Sequence, residues 1–232
     1  MKQLIAIAQI VVLMSLSSAT SATGETEALT EAQKWLKSIN YNLTLEQLSN
    51  LKMLRLQLYG SFNGVSTTKL ISNENMRHLR VLKNLELIAL PRWTNDDGLS
   101  NIAGLTKLKT LNLPNAQLTN EGMVHLRNLT EMRSLVLTAA RIDDTGIQNL
   151  AGMSKLQILN LSNTGITDAA LSTIGKLISL NKLFLNRTKI TDGCVPHITK
   201  LTGLQRLDIT GAGITETGKQ QIRNAIPGIT IH

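Results

Sequence analysis

Leu156-Gln-Ile-Leu159-Asn-Leu161-Ser-Asn-Thr164-Gly-Ile166-Thr-Asp168-Ala-Ala-Leu171-Ser-Thr-Ile174-Gly-Lys-Leu177 is the stretch on which the reading of this chain turns. Its first six residues follow L-x-x-L-x-L, the alternation of a short strand with one buried face. Thr164-Gly165 ends the strand. Thr167-Asp168 marks a helix start, because an Asp side chain accepts from the unpaired N–H groups of a first turn. Leu171, Ile174 and Leu177 then fall on one helical face. Such a unit cannot bury both apolar faces alone, so it needs neighbours above and below.

The chain supplies them. The strand pattern recurs at Leu51–Leu56, Leu85–Leu90, Leu108–Leu113, Met132–Leu137, Leu180–Leu185 and Leu204–Ile209, and Pro227-Gly-Ile229-Thr-Ile231 predicts a closing strand. From Leu108 onward the period is 24 residues without a slip, while the step from Leu85 to Leu108 is 23. The second half of the unit recurs as well, in Leu118-Thr-Asn-Glu-Gly122, Ile142-Asp-Asp-Thr-Gly146, Ile190-Thr-Asp-Gly-Cys194 and Ile214-Thr-Glu-Thr-Gly218. Asp144, Asp168, Asp192 and Glu216 stand where a helix N-terminus favours negative charge, which makes their role structural rather than catalytic.

These motifs resemble the leucine-rich-repeat family over roughly residues 45–232. The I-T-D-x-G/A half is similar to the subtype found in secreted bacterial repeat proteins. It is also similar to the repeats of F-box substrate receptors, which usually carry Cys where this chain has Ala116, Ala140, Thr164, Thr188 and Ala212. The resemblance implies an α/β fold: a right-handed solenoid with a parallel sheet on its concave side and short helices on its convex side. It implies no particular function.

Composition agrees with one such domain. The chain has 232 residues, 42% of them hydrophobic and only 3% aromatic, so the core must be aliphatic. Residues 1–22 read as a signal peptide: Lys2, then the mostly apolar run Leu4–Leu16, too short to span a bilayer, then small residues ending at Ala22. The expected location is periplasmic or secreted, with no transmembrane segment after signal removal. A single cysteine, Cys194, rules out an internal disulfide. The formal charge of +8 points toward anionic partners such as an acidic protein, a cell surface or a polyanion, but the basic residues are scattered and make no specific nucleic-acid motif.

Residues 23–44 read as an N-terminal helical cap, with Leu29, Ala32, Leu36 and Ile39 on one face, Trp35 packing beneath it, and Thr30 and Gln33 spaced for a capping box. The first repeat carries an insertion, Tyr59-Gly-Ser-Phe62-Asn-Gly64-Val-Ser-Thr-Thr68, with two of the chain's six aromatics. Insertions in repeat arrays form loops, often on the binding face. Arg92 and Trp93 of the next unit lie beside it, Trp93 falling in a column that is Ala or Thr elsewhere.

No catalytic constellation, metal site or cofactor motif emerges. His78, His125 and His197 share one register but belong to separated units, so stacking keeps them roughly 10 Å or more apart, against a zinc–nitrogen bond of about 2 Å. Cys194 occupies a small-residue column with Gly122, Gly146, Ala170 and Gly218. A Cys194–His197 hydrolase is the alternative enzyme reading, and it lacks an orienting acid or amide.

What remains is surface. Between the leucines, side chains alternate toward the concave face. One column reads Met53, Leu87, Thr110, Ser134, Ile158, Lys182, Arg206. The next reads Arg55, Ala89, Asn112, Val136, Asn160, Phe184, Asp208. Val136, Ile158 and Phe184 form an expected apolar patch bordered by Lys182, Arg187 and Arg206, an apolar centre with a basic rim. The sequence thus points to a non-catalytic recognition module that binds an unidentified protein through the concave sheet and the 59–68 loop. An intracellular F-box-like adaptor is the competing class, opposed by the signal-like start. N-terminal sequencing of the natural protein separates them: a mature start at Thr23, with Ala19 as the second cleavage choice, is expected, and an intact Met1 favours the adaptor.

Overall fold

The computed structural model of the chain describes residues 23–39, 41–56, 61–62, 65–66 and 71–232. The expected signal peptide, Tyr59 and most of the 59–68 insertion lie outside the described residues. Each L-x-x-L-x-L motif yields one short strand: β1 (Met53–Arg55), β4 (Leu87–Ala89), β5 (Thr110–Asn112), β6 (Ser134–Val136), β7 (Ile158–Asn160), β8 (Lys182–Phe184), β9 (Arg206–Asp208) and the closing β10 (Thr230–Ile231). These pair in parallel, in chain order, as one eight-stranded sheet. Within the insertion, β2 (Ser61–Phe62) and β3 (Val65–Ser66) pair antiparallel, so this segment contains a small hairpin rather than only loop.

Register makes the core a stack of aliphatic rows. Leu111, Leu135, Leu159, Leu183 and Leu207 are successive partners across the sheet, and each is fully buried. The strand-end leucines Leu113, Leu137, Leu161 and Leu185 and the helix-side residues Leu126, Leu150, Ile174 and Ile198 fill the space behind them. A buried Leu contributes about 2 kcal/mol through removal of apolar surface from water.

A second row of contacts locks the coils at the helix starts, and it corrects the expected role of the acidic residues. The N-caps are Thr119, Asp143, Thr167, Thr191 and Thr215, each accepting from an N–H of its own first turn. The following Asp reaches forward to the next coil. Asp144 accepts from the N–H and hydroxyl of Thr167 at 2.8 and 2.7 Å, Asp168 from those of Thr191, and Asp192 from those of Thr215 at 2.8 and 2.6 Å. Asp96 does the same for Thr119, and Asn120 takes the place of the carboxylate toward Asp143. Each cap is therefore oriented by the coil before it. The carboxylates face a stacked neighbour instead of their own helix because the residue just before each one, Asn95, Asp143, Thr167 or Thr191, already fills the cap.

This ladder also explains the small-residue column. A Cβ at Gly122 would lie 2.1 Å from an Asp96 oxygen, and one at Gly218 2.2 Å from an Asp192 oxygen. Where the column carries a Cβ, at Ala170 and Cys194, the opening turn is 3-10, over Asp168–Ala170 and Asp192–Cys194. At Gly122 and Gly146 it is α-helical.

The 23-residue step has a local cause. Asn115, Ala139, Asn163, Arg187 and Gly211 hold left-handed backbone in the turn after their strands, and no residue between Ala89 and Asn95 does. The second unit lacks that residue. Thr94 stands directly before the cap Asn95, where later units carry Leu118, Ile142, Ile166, Ile190 and Ile214. Trp93 packs against the core and donates its indole N–H to the Ile71 carbonyl at 2.9 Å.

At the N-terminal side, helix α1 (Thr23–Ser38) packs on the first coil with Ala32, Leu36 and Ile39 buried and Trp35 stacked on His78 at 5.6 Å. The capping box expected at Thr30 and Gln33 is not formed, because α1 begins seven residues earlier, at Thr23. The Thr30 hydroxyl bonds back to the Thr26 carbonyl, and Gln33 donates to the Leu43 carbonyl. The box lies instead at Thr44 and Gln47, opening α2 (Leu45–Ser49). At the other end the helix Glu216–Ala225 buries Gly218 and Ile222 beneath a polar outer surface.

Asp144→Ala is expected to destabilise the protein by about 2 kcal/mol, with a coupling of about 1 kcal/mol to Thr167→Ala in a double-mutant cycle read by urea unfolding. Thr145, through its hydroxyl and its N–H, holds the Asp143 carboxyl below the usual range, and Thr215 does the same for Asp192. Depressed folded values give stability that is present above the unfolded carboxyl range of about 4 and is lost as pH falls through the folded values. Melting temperature should therefore drop below about pH 4, and less steeply in Asp192→Asn, which copies the rung at Asn120.

Candidate functional site

The exposed face of the sheet carries two rows in the register expected from sequence. Thr110, Ser134, Ile158, Lys182 and Arg206 are successive partners in one, and Asn112, Val136, Asn160, Phe184 and Asp208 in the other. Val136, Ile158, Asn160, Phe184 and Asp208 are half-buried, while Lys182 and Arg206 are exposed. The apolar patch is interleaved rather than continuous. Asn160 separates Val136 from Phe184, and Ile158 stands in the adjacent row between Ser134 and Lys182.

Short polar contacts fix this surface. The Asn160 side chain accepts from the Ser162 N–H at 3.0 Å, the Ser162 hydroxyl donates to Asn186, and Asp208 accepts from the Thr210 N–H at 3.1 Å. The Arg206 guanidinium sits 5.5 Å from the centroid of the Phe184 ring, within cation–π range. Arg187 follows β8 at the rim with φ 56°, and its N–H bonds to the Thr210 carbonyl of the next coil. Left-handed backbone disfavours a side chain with a Cβ by roughly 1–2 kcal/mol, and Asn tolerates it better than Arg. Asn115 and Asn163 hint at that column in the sequence; Ala139 and Arg187 give no such signal.

The other expected contacts are dispersed. Arg92 is exposed and Trp93 is half-buried in a packing role, on the β4 side of the sheet and away from β8. Phe62 is placed by its backbone in β2, and Tyr59 is outside the described residues. An open depression of ≈ 560 Å³, not foreseen from sequence, lies at the helix-start edge beside Gly165, lined by Arg141, Asp143, Asp144, Thr167 and Lys189. Both carboxylates in it are already engaged by Thr145 and Thr167. Among the described residues the most exposed large apolar side chain, Ile178 at 70%, precedes β8 and lies off the rows.

The residues considered for chemistry are held in the scaffold. His78 stacks on Trp35, and its burial favours the neutral ring. His125 and His197 sit in separate convex turns, Val124–Leu126 and Val195–Ile198. Among the described residues no group of three or more His, Cys, Asp or Glu side chains could hold a metal ion. Cys194 is fully buried, and burial together with the nearby Asp168 and Asp192 pushes its thiol up to about 12, so it is protonated at neutral pH. Among the described residues no helix is long and apolar enough to cross a membrane.

The fold, with one coil per strand, decides the class. The chain is a leucine-rich-repeat solenoid. Its parallel sheet is the concave side and its short helices the convex side. It superposes on an internalin (inlF) from Listeria monocytogenes with a TM-score of 0.62 at 22% identity, covering 80% of this chain. It superposes on an internalin C2 (inlC2) from the same organism with a TM-score of 0.58 at 20% identity, covering 90%. The solenoid spans 48% of the first of these proteins and 93% of the second. No protein-family model and no curated protein matches the chain.

In the folded solenoid Cys194 should resist a thiol-specific maleimide at neutral pH and react once urea unfolds the protein; rapid labelling of the native form would revive the Cys194–His197 hydrolase.

Proposed function

We propose that this solenoid is a non-catalytic recognition module, exported from the cytoplasm, that binds another protein through its concave sheet, with the 59–68 insertion as a second contact region. The observation that carries this reading is the ordered surface over β6–β9. Half-buried Val136, Ile158 and Phe184 are set among amide and hydroxyl groups, and Arg206 is held on Phe184. Local hydrogen bonds pre-organise Asn160 and Asp208, which lowers the entropy lost when a partner docks. Aromatic and Arg anchors beside apolar and polar contacts are the usual composition of a protein-binding hot spot. The scaffold leaves these positions free to vary, since the buried rows and the Asp–Thr ladder hold the fold without them.

Affinity capture with the wild-type solenoid from an extract of its native organism tests the reading. Phe184→Ala combined with Arg206→Ala should abolish recovery of the specific partner while leaving the melting temperature within a few degrees, about the shift that 1 kcal/mol produces. Undiminished recovery by this variant would remove the concave face of β8 and β9 from the site.

A further inference from the structure

Most of the well-placed carboxylates of the solenoid are committed internally. Glu86 pairs with Lys52 and Lys109, Glu131 with Lys155, and Glu216 with Lys219 and Arg223. Asp96, Asp144, Asp168 and Asp192 are spent on the Thr ladder. Against this pattern, Lys182, Arg187, Lys189 and Arg206 make no ion pair among the described residues. Two of them are direct cross-strand partners: Lys182 lies opposite Arg206 across β8 and β9. Like charges in that position repel, and a carboxylate placed between them relieves the repulsion. The acid in the adjacent row, Asp208, is turned to the Thr210 N–H. Phe184 fixes the Arg206 side chain on the sheet through its ring, which leaves the guanidinium donors unused by any internal carboxylate. Arg187 adds a cation at the same corner from left-handed backbone, a conformation that Asn163 and Gly211 occupy with less strain in the flanking coils.

We propose that this corner, the concave face of β8 and β9 with the turn after β8, receives a carboxylate-bearing segment of a partner protein, one apolar residue of which rests on Phe184 and Ile158. This rests on the protein-recognition reading and names its ligand chemistry. Lys182 and Arg206 take the carboxylates, Arg187 extends the basic track along the rim, and Asn160 offers its amide to the segment's backbone.

Selection of a random phage-displayed peptide library on the wild-type solenoid tests this, followed by binding measurements on the selected peptides. Enriched peptides should carry Asp or Glu beside an apolar residue. They should bind Lys182→Ser/Arg206→Ser about tenfold more weakly and lose affinity between about 50 and 500 mM salt, where screening shortens the reach of surface charge. Arg187→Asn should raise the melting temperature and weaken the same peptides, a pairing that a purely structural Arg187 would not give. Peptides that lose binding on Phe184→Ala, show no acidic excess and ignore Lys182→Ser/Arg206→Ser overturn the acidic ligand and leave the recognition reading standing. Peptides insensitive to all of these substitutions overturn both. Failure to enrich peptides, or retention on heparin through Lys182 and Arg206 without acidic-peptide binding, overturns the proposal, the latter in favour of a polyanion.

Discussion

No coil of this protein has an interior of its own. Leu159 is buried because Leu135 and Leu183 lie on either side of it, and the same holds along the row from Leu111 to Leu207. Everything else follows from the need to keep neighbours in register. The strands are short because only the middle of each coil must pair. The turns repeat because every coil must return to the same height. The Asp–Thr ladder exists at the one edge where helix starts would otherwise present unsatisfied donors. Apolar rows supply the bulk of the stabilisation, and the ladder supplies the directional information that fixes how one coil sits on the next.

The scaffold was almost wholly legible in the sequence because it is repeated. Each strand motif and the closing segment appear as strands in the expected order, and the two surface rows appear in the expected register. Comparison between copies revealed that Asp144, Asp168 and Asp192 were structural, but not whom they bond. Within one coil an Asp beside a helix start reads as its cap, and only stacking shows that Thr167 caps while Asp168 reaches for Thr191. The left-handed column was hidden for a related reason. Ala139 and Arg187 adopt it under the pull of the next coil's carbonyl, against their own preference. The role of Trp93 depended on a missing turn residue, which the 23-residue step disclosed as a length and not as a shape.

The candidate site was legible in part. Which side chains share a sheet face follows from alternation, and the strands pair these residues in the two expected rows, although Ala89 is buried. Continuity of the apolar patch does not follow from alternation, since rows rather than strands decide adjacency, and Asn160 stands between Val136 and Phe184. The contact of Arg206 with Phe184 joins residues far apart in sequence and could be seen only once β8 and β9 were paired. The same separation distinguishes the two kinds of residue. Scaffold positions recur from coil to coil, whereas the columns that hold Phe184 and Arg206 change residue from one coil to the next.

Each Asp–Thr rung, from Asp96–Thr119 to Asp192–Thr215, spans the same 23 residues, with the carboxylate acceptor on the earlier coil and the Thr donors on the later. The array is thus vectorial and modular at once. Removing one complete coil from its middle would bring an Asp or Asn acceptor against a new cap of the same geometry, whereas removing a single residue would leave one rung open. Chains built this way can be lengthened or shortened in whole steps, and the reach and curvature of the concave surface change with them while the chemistry of each junction stays the same.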